Sequence, residues 1–238
     1  MGEIGETRSR LPVEWDKTVL AIGRLKEKGL YEEPDRESRR GYYLGRPIIG
    51  RDTPINGGIY VGGGEREAIV VDDSDKGSPL QAVYLELLQM RTAAVKRGES
   101  FKGAILSDVF DLVQKRLPYN RQKEFEIERK VRPMPDQPIS LDVYLREKGG
   151  VCRHQALLAA YLLERLGREG KVRGKVSIDR NFVGGRGGHA WVRYVNSAGM
   201  VFILDPANGL ISELRNIDPS LQRFYERPKG FLSKLLGR

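Results

Sequence analysis

Apolar residues recur at helical spacing in three parts of the chain. Residues 79–117 carry two apolar stripes with steps of three or four positions, which predicts helices that end at Pro118. Residues 157–166 carry another stripe, and the helix predicted there opens close to Cys152 and buries its apolar face against a sheet. A weaker pattern over residues 15–25 predicts a helix that stops at Gly29.

Strand-like alternation follows the third helical stretch. Residues 172–178 predict one strand, and the runs HAWVRYV and MVFILDP on either side of the turn NSAG predict a β-hairpin. Residues 59–61 and 68–71 predict a shorter hairpin nearer the N-terminus. The glycines at 62–64 favour a turn over a phosphate-binding loop, because no Lys-Ser/Thr pair follows them and no helix opens from them.

The segment between these regions has a different character. Residues 119–138 are charged and contain several prolines, so we expect them to be extended. Ser140 is a good N-cap for a short helix that ends at Gly149 and Gly150. Helices and antiparallel strands together predict an α+β fold.

Composition narrows the class of protein. The chain of 238 residues has one Cys, which excludes a disulfide scaffold and a Cys-rich zinc site. No apolar run approaches the roughly 20 residues that cross a bilayer, and the start lacks a signal-peptide pattern, so we expect a cytoplasmic protein. The formal charge of +9 permits acidic partners, but the basic residues are scattered outside any recognisable motif, so nucleic acid is not favoured.

The single thiol is the first candidate for chemistry. Cys152 follows two glycines and precedes a helical run, so it is expected at the N-terminus of that helix. The helix dipole and the free amides there favour a thiolate and can also hold an oxyanion. The alternative is a small buried apolar residue, which is the role of most lone cysteines.

The predicted hairpin brings an imidazole and a carboxylate together. If the strands pair across the NSAG turn, His189 lies opposite Asp205 within one or two residues. We expect the carboxylate to accept the Nδ1 proton of His189 while Nε2 faces the thiol. A backbone-bonded histidine and a turn aspartate are the alternatives. His154 lies roughly 200° around the helix from Cys152, which predicts packing or hydrogen bonding.

Three sequence blocks carry a resemblance to a known family. The blocks GGVCRHQALLAAYLLERLG, GGHAWVRY and FILDPANG resemble the transglutaminase-like superfamily of papain-fold thiol enzymes, within residues 106–209. The first block is also similar to the N-terminal regions of a group of plant kinases. The resemblance implies that Cys152 is the nucleophile, His189 the general base and acid, and Asp205 the orienting carboxylate.

The resemblance also implies an organisation of the chain. Residues 101–215 would form a papain-like/transglutaminase-like catalytic core, in which a Cys-bearing helix packs on an antiparallel sheet that carries His and Asp. Residues 1–100 would be a mainly helical N-terminal extension with a short hairpin. Residues 216–238 would be a basic amphipathic C-terminal tail, for which docking on the protein's own core is favoured over contact with a membrane.

Further site residues follow with less definition. Many protein-crosslinking transglutaminases place a Trp upstream of the Cys to help hold the oxyanion, but the only two Trp of this chain are Trp15 and Trp191. The sequence leaves several candidates for oxyanion donors and for the loop that admits substrate. The oxyanion candidates are Cys152, Tyr119, Asn120 and Gln137, and the substrate-loop candidates are Gly187, Gly188 and Trp191.

The activity implied is that of a cysteine-dependent amide hydrolase or acyltransferase. A thiolate would attack a glutamine side chain or a peptide bond, and water or an amine would resolve the thioester. The expected partner is a protein or peptide substrate, and no cofactor and no metal are expected. The alternative is a catalytically silent papain-fold module that binds protein or nucleic acid.

Overall fold

A computed structural model of the chain describes residues 18–35, 38, 40–62, 68–131, 137–183 and 187–227. Helices and two separate sheets make up these residues, which confirms the α+β class. The helices are α1 (Thr18–Glu27), α2 (Pro79–Lys96), α3 (Ile105–Arg116), α4 (Arg121–Val131), α5 (Leu141–Glu147), α6 (Cys152–Arg168) and α7 (Pro219–Tyr225). The strands are β1 (Tyr31–Glu32), β2 (Tyr42–Tyr43), β3 (Arg46–Ile49), β4 (Ile59–Val61), β5 (Ala68–Val70), β6 (Ile139–Ser140), β7 (Gly174–Val183), β8 (Gly187–Asn196), β9 (Val201–Asp205) and β10 (Leu210–Glu213).

The first sheet lies mainly in the N-terminal hundred residues. Its strands follow one another in chain order from β1 to β6, with parallel pairing of β3 with β4 and of β5 with β6. The predicted hairpin is confirmed as β4 and β5, in which Ile59 pairs with Val70. Within the described part of residues 1–100, the expected mainly helical character is found in α1 and α2 alone. The five strands between them have two to four residues each, which is too short for an alternating pattern.

The second sheet is antiparallel throughout, in the order β10-β9-β8-β7. The predicted hairpin of β8 and β9 is confirmed, with Val195 paired with Val201 and the Asn196 N–H donating to the Met200 carbonyl at 3.0 Å. Strand β7 continues beyond the predicted residue 178 to Val183. This sheet carries both His189 and Asp205.

Helix α6 joins the two halves of the core. Its residues from His154 to Leu163 are all buried, because the helix packs against the second sheet on one side and against α3 and α5 on others. The largest hydrophobic cluster unites α6 with side chains such as Tyr60 and Leu80 from the first hundred residues. The core therefore continues across the predicted boundary at residue 100.

Helix α4 corrects the prediction of an extended segment over residues 119–138. The Asn120 Oδ1 accepts the Lys123 N–H at 2.8 Å, which caps the helix, and Ile127 is buried beneath it. Glu124 on the same helix bonds Arg153 at 2.5 Å. Most residues of α4 are charged, so the sequence shows almost no apolar stripe at helical spacing there. Ser140 is confirmed as the N-cap of α5, since its Oγ accepts the Asp142 N–H at 3.2 Å.

Of the predicted tail, the structure describes residues 216–227, and residues 228–238 lie outside the described residues. Helix α7 packs on the second sheet through Tyr225. None of the helices in the described ranges has both the length and the apolar character needed to cross a membrane.

Candidate active site

Cys152 is the first residue of α6, as the sequence predicts. The turn before it is tight, because a Cβ on Gly150 would lie 2.9 Å from the Cβ of His154. The His154 and Gln155 N–H groups both donate to the Val151 carbonyl, at 2.9 and 3.2 Å. The Cys152 N–H finds no acceptor among the described residues, and the side chain is 9% exposed. An unoccupied amide therefore lies beside the only thiol of the chain.

The pairing of β8 with β9 places His189 beside Asp205. Val192 pairs with Leu204, so Trp191 is the residue of β8 that lies level with Asp205, and His189 is two positions further on the same face. The predicted proximity is thus confirmed as a diagonal neighbourhood, and the His189 Nε2 lies 2.6 Å from the Asp205 Oδ2.

The nitrogen that faces the carboxylate corrects the sequence prediction. We expected Nδ1 to bond Asp205, but Nε2 does so. Directly opposed residues would place Cβ atoms side by side, whereas the diagonal offset lets the far nitrogen of the ring reach the carboxylate. Cys152 lies near enough to His189 to raise the pKa of the imidazole.

The charge of His189 follows from these partners. Burial by itself lowers the pKa of the imidazole, but the hydrogen bond to Asp205 and the interaction with Cys152 outweigh it and raise the pKa to about 10. His189 is therefore held as an imidazolium at neutral pH. This imidazolium lies beside the only thiol of the chain.

Asp205 is completely buried, and both of its carboxylate oxygens accept hydrogen bonds. Its Oδ2 receives the His189 ring, the Asn208 Nδ2 at 2.8 Å and the Tyr225 hydroxyl at 2.8 Å, while its Oδ1 accepts the Asn208 N–H at 3.2 Å. These donors compensate for the cost of burying a carboxylate. The sequence analysis missed both Asn208 and Tyr225. Asn208 lies inside the FILDPANG block, but no pattern in the sequence links Tyr225 to Asp205.

An aromatic cluster surrounds the His–Asp pair. The ring of Trp191 stacks 6.0 Å from His189 and lies 5.3 Å from Phe224 and 5.1 Å from Tyr225. Trp191 was expected to border the substrate loop; it lies two residues after His189 in β8, and its side chain is fully buried under α7. It faces the same side of the sheet as His189, and no pattern in the sequence indicates that a helix covers that side.

The two glycine candidates keep their expected position. Gly187 and Gly188 pair with Val183 and Phe182 at the beginning of β8, directly before His189. Gly188 is exposed, and a Cβ there would meet nothing within 4 Å among the described residues. The predicted loop residues 184–186 lie outside the described residues.

The oxyanion candidates separate into two groups. Tyr119 and Asn120 lie alongside the Cys152 turn, because Tyr119 bridges to Gly150 and the Asn120 N–H donates to the Gly150 carbonyl at 2.7 Å. The Asn120 Oδ1 is used to cap α4, whereas the Tyr119 side chain is 52% exposed. Gln137 is exposed near the beginning of β6 and makes no hydrogen bond to the turn among the described residues.

His154 has the structural role that its helical position predicts. It is completely buried, its Nδ1 accepts the Val151 N–H at 3.1 Å, and its ring lies 3.9 Å from the ring of Tyr144. Burial, together with the nearby charge of Arg153, holds its pKa well below the ordinary value. A neutral His154 thus fixes the turn that presents Cys152.

No family model, curated protein or solved structure matches this chain. The site must be judged by its geometry. The thiol at the helix N-terminus lies beside the imidazolium, and the imidazolium bonds the buried carboxylate. A spatial chain of these three groups is the arrangement that activates sulfur as a nucleophile.

Proposed function

We propose that the protein is a transglutaminase-like thiol enzyme that acts on amide bonds, either a glutamine side chain or a peptide. The observation that carries the proposal is the linked set of Cys152, His189 and Asp205, in which the His–Asp contact is 2.6 Å and the imidazole interacts with the thiol. Each residue has one role: nucleophile, proton carrier and orienting carboxylate.

In the first half of the reaction, the Cys152 thiolate attacks the amide carbonyl carbon and a C–S bond forms. The carbonyl oxygen becomes an oxyanion, which the free Cys152 N–H can stabilise. The His189 imidazolium gives its proton to the departing nitrogen, the C–N bond breaks, and an amine or ammonia leaves. The product on the enzyme is a thioester.

In the second half, neutral His189 takes a proton from water or from an acceptor amine. The resulting nucleophile attacks the thioester carbonyl, the C–S bond breaks, and Cys152 leaves as a thiolate beside the restored imidazolium. Water yields a carboxylic acid and an amine yields a new amide. Asp205 keeps its charge throughout and stabilises the imidazolium.

The arrangement of elements supports a papain-like core for this chemistry. The proposed nucleophile begins α6, the helix packs against an antiparallel sheet, and that sheet carries His189 within β8 and Asp205 at the end of β9. Tyr119 is the side chain best situated to assist Cys152, because its backbone bridges to Gly150 and its ring is exposed.

Alkylation of Cys152 by iodoacetamide as a function of pH tests the proposal without knowledge of the substrate. The single Cys makes the label unambiguous, and Cys152→Ser supplies the blank. We expect rapid labelling of the wild type well below pH 7 and loss of that reactivity in His189→Ala. Circular dichroism of each variant checks that the fold is retained.

Substrate classes can then be compared directly. Release of ammonia from a glutamine-containing peptide, with and without an added primary amine, distinguishes hydrolysis from transfer, with Cys152→Ser as the inactive control. A labelling rate with the pH dependence of an ordinary thiol, unchanged in His189→Ala, would contradict the proposed enzyme activity and favour a binding module instead.

A further inference from the structure

The second sheet has two faces, and α7 covers the one that bears His189. Trp191, Ile203, Ile217 and Tyr225 form a buried cluster on this face, and Phe224 packs against it. The side chains on the other face, such as Val192 and Leu204, belong to the main core with α6. The catalytic strands are therefore enclosed on one side by a segment that follows them in the chain.

Tyr225 connects this segment to the site. The residue is 4% exposed, and its hydroxyl donates to the Asp205 Oδ2 at 2.8 Å, the same oxygen that faces His189. Burial, followed by the nearby charge of Asp205, raises the pKa of the Tyr225 hydroxyl, so it stays protonated and remains a donor. Its ring packs edge-on against Trp191 at 5.1 Å, which fixes the direction of the hydroxyl.

Two arginines hold the end of α7 in place. Arg193 donates to the Tyr225 carbonyl at 2.8 Å and to Asp179 at 3.1 Å. Arg227, two residues beyond Tyr225, bonds the same buried Asp179 at 2.6 Å and also reaches Asp52. The chain from Tyr225 to Arg227 is thus tied to β7 and β8, which holds the Tyr225 hydroxyl at Asp205.

We propose that Tyr225 is a positioning residue of the thiol site, which holds the Asp205 carboxylate in the orientation that bonds His189. The proposal rests on the proposed function, because positioning matters only if the His–Asp pair serves the thiol. A carboxylate that loses this donor retains the other bonds but is held less firmly against rotation about its Cβ–Cγ bond. The short contact to His189 Nε2 would then be made only part of the time.

The test compares Tyr225→Phe with the wild type in the full-length chain. The matched control is Tyr194→Phe, which also removes one tyrosine hydroxyl, bonded to the Arg173 carbonyl at 3.0 Å from the opposite face of the sheet. The first measurement is the NMR signal of the His189 Nε2 proton, distinguished from His154 by His189→Ala. The second is the rate of Cys152 alkylation between pH 6 and 7.

We expect Tyr225→Phe to move the Nε2 proton signal upfield and to slow alkylation by about tenfold, as loss of a hydrogen bond to a charged group predicts. Tyr194→Phe should leave both measurements unchanged. An Nε2 signal and an alkylation rate that match the wild type, with only a lower unfolding temperature, would reduce Tyr225 to a structural residue and overturn the proposal.

A second variant separates the hydroxyl from the packing of α7. Phe224→Leu loosens the aromatic cluster and keeps the Tyr225 hydroxyl, so we expect it to lower the unfolding temperature and to retain the Nε2 signal. A shift as large as that of Tyr225→Phe would mean that any loosening of α7 is sufficient, which contradicts a specific role for the hydroxyl. If wild-type Cys152 instead reacts as an ordinary thiol, the proposed function fails, while the NMR comparison still tests the Tyr225–Asp205–His189 connection.

Discussion

The two histidines of the chain occupy two buried regions that differ in their charged neighbours. His154 lies inside the first turn of α6, where Arg153 is the charged group that acts on it. His189 lies near the end of the second sheet, bonded to Asp205 and in contact with Cys152. Burial lowers the pKa of both, but only His189 has an anionic partner that reverses the effect. The same residue type is thus a neutral acceptor of a backbone N–H in one region and an imidazolium bonded to a carboxylate in the other.

Asp205→Asn should have the largest effect, because it removes the anionic partner that distinguishes His189 from His154. An amide in the same place cannot stabilise an imidazolium as a carboxylate does, so the pKa of His189 should fall well below 10, because Cys152 is then the remaining partner that opposes the effect of burial. Alkylation of Cys152 at pH 6–7 should slow by roughly a hundredfold or more.

An NMR titration of both histidines checks the Asp205→Asn prediction in one experiment. His154 serves as the internal control and should not change, because it has no contact with Asp205 among the described residues. An unaltered titration of His189 in the variant would mean that Asp205 is not the cause of the raised pKa.

The pH dependence of stability should have opposite signs for the two regions. The folded-state pKa of His189 lies above the unfolded value, so its contribution is fully present below pH 6.5 and is lost as the pH rises through about 10. The pKa of His154 is lowered, so its contribution is present above pH 6.5 and is lost as the pH falls below that value.

Urea unfolding at several pH values measures both contributions. Relative to the wild type, His189→Gln should remove the decline in unfolding free energy between pH 6.5 and 10, on the order of 5 kcal/mol. His154→Gln should instead flatten the decline on the acidic side. Two variants with the same pH profile as the wild type would show that neither imidazole changes its protonation on folding.

Two glycines, one near each histidine, differ in how closely other atoms pack around them. Gly150 supports the His154 region, and an added methyl would lie 2.9 Å from the His154 Cβ, so Gly150→Ala should destabilise the fold by about 1–3 kcal/mol. Gly188 lies beside His189 with open space around it, so Gly188→Ala should change stability by less than about 0.5 kcal/mol. Thermal unfolding of the pair measures the difference, and equal losses would refute the tight turn before Cys152.

The sequence predicts the second sheet better than the N-terminal sheet for a physical reason. Strands β8 and β9 are long enough to alternate and are joined by a four-residue turn, so their register, and with it the nearness of His189 to Asp205, follows from local pairing. In the N-terminal sheet, parallel pairs such as β5 with β6 join residues about 70 positions apart, and no local pattern records that contact.

The candidate site divides in the same way. Cys152, His189 and Asp205 have local signals, namely a helix start and two paired strands. The contact of Tyr225 with Asp205 depends on α7 folding back over the sheet, and the burial of Trp191 depends on the same event. The choice of Nε2 over Nδ1 depends on the two-residue offset between His189 and Asp205 in the strand register. Such features depend on tertiary packing, which the spacing of apolar residues along the sequence does not reveal.

Asn208→Ala provides the finest adjustment of the His189 region. The Asn208 Nδ2 donates to the Asp205 Oδ2 at 2.8 Å and lies 3.0 Å from the His189 Nε2, but the residue is exposed, so water can replace the lost donor. We therefore expect alkylation of Cys152 to slow only about threefold, because a solvent-replaceable hydrogen bond contributes less than a buried one.

A double variant tells whether the two donors to Asp205 act through the same atom. Tyr225→Phe and Asn208→Ala both remove a bond to Oδ2, so their combined effect on the alkylation rate should exceed the product of the single effects, since each remaining donor limits the motion that the other loss permits. Simple multiplication of the two effects would indicate that the carboxylate is held mainly by the backbone bond from Asn208 to Oδ1, at 3.2 Å. In that case the fixed element of the site is the turn after β9, and the side-chain donors only adjust it.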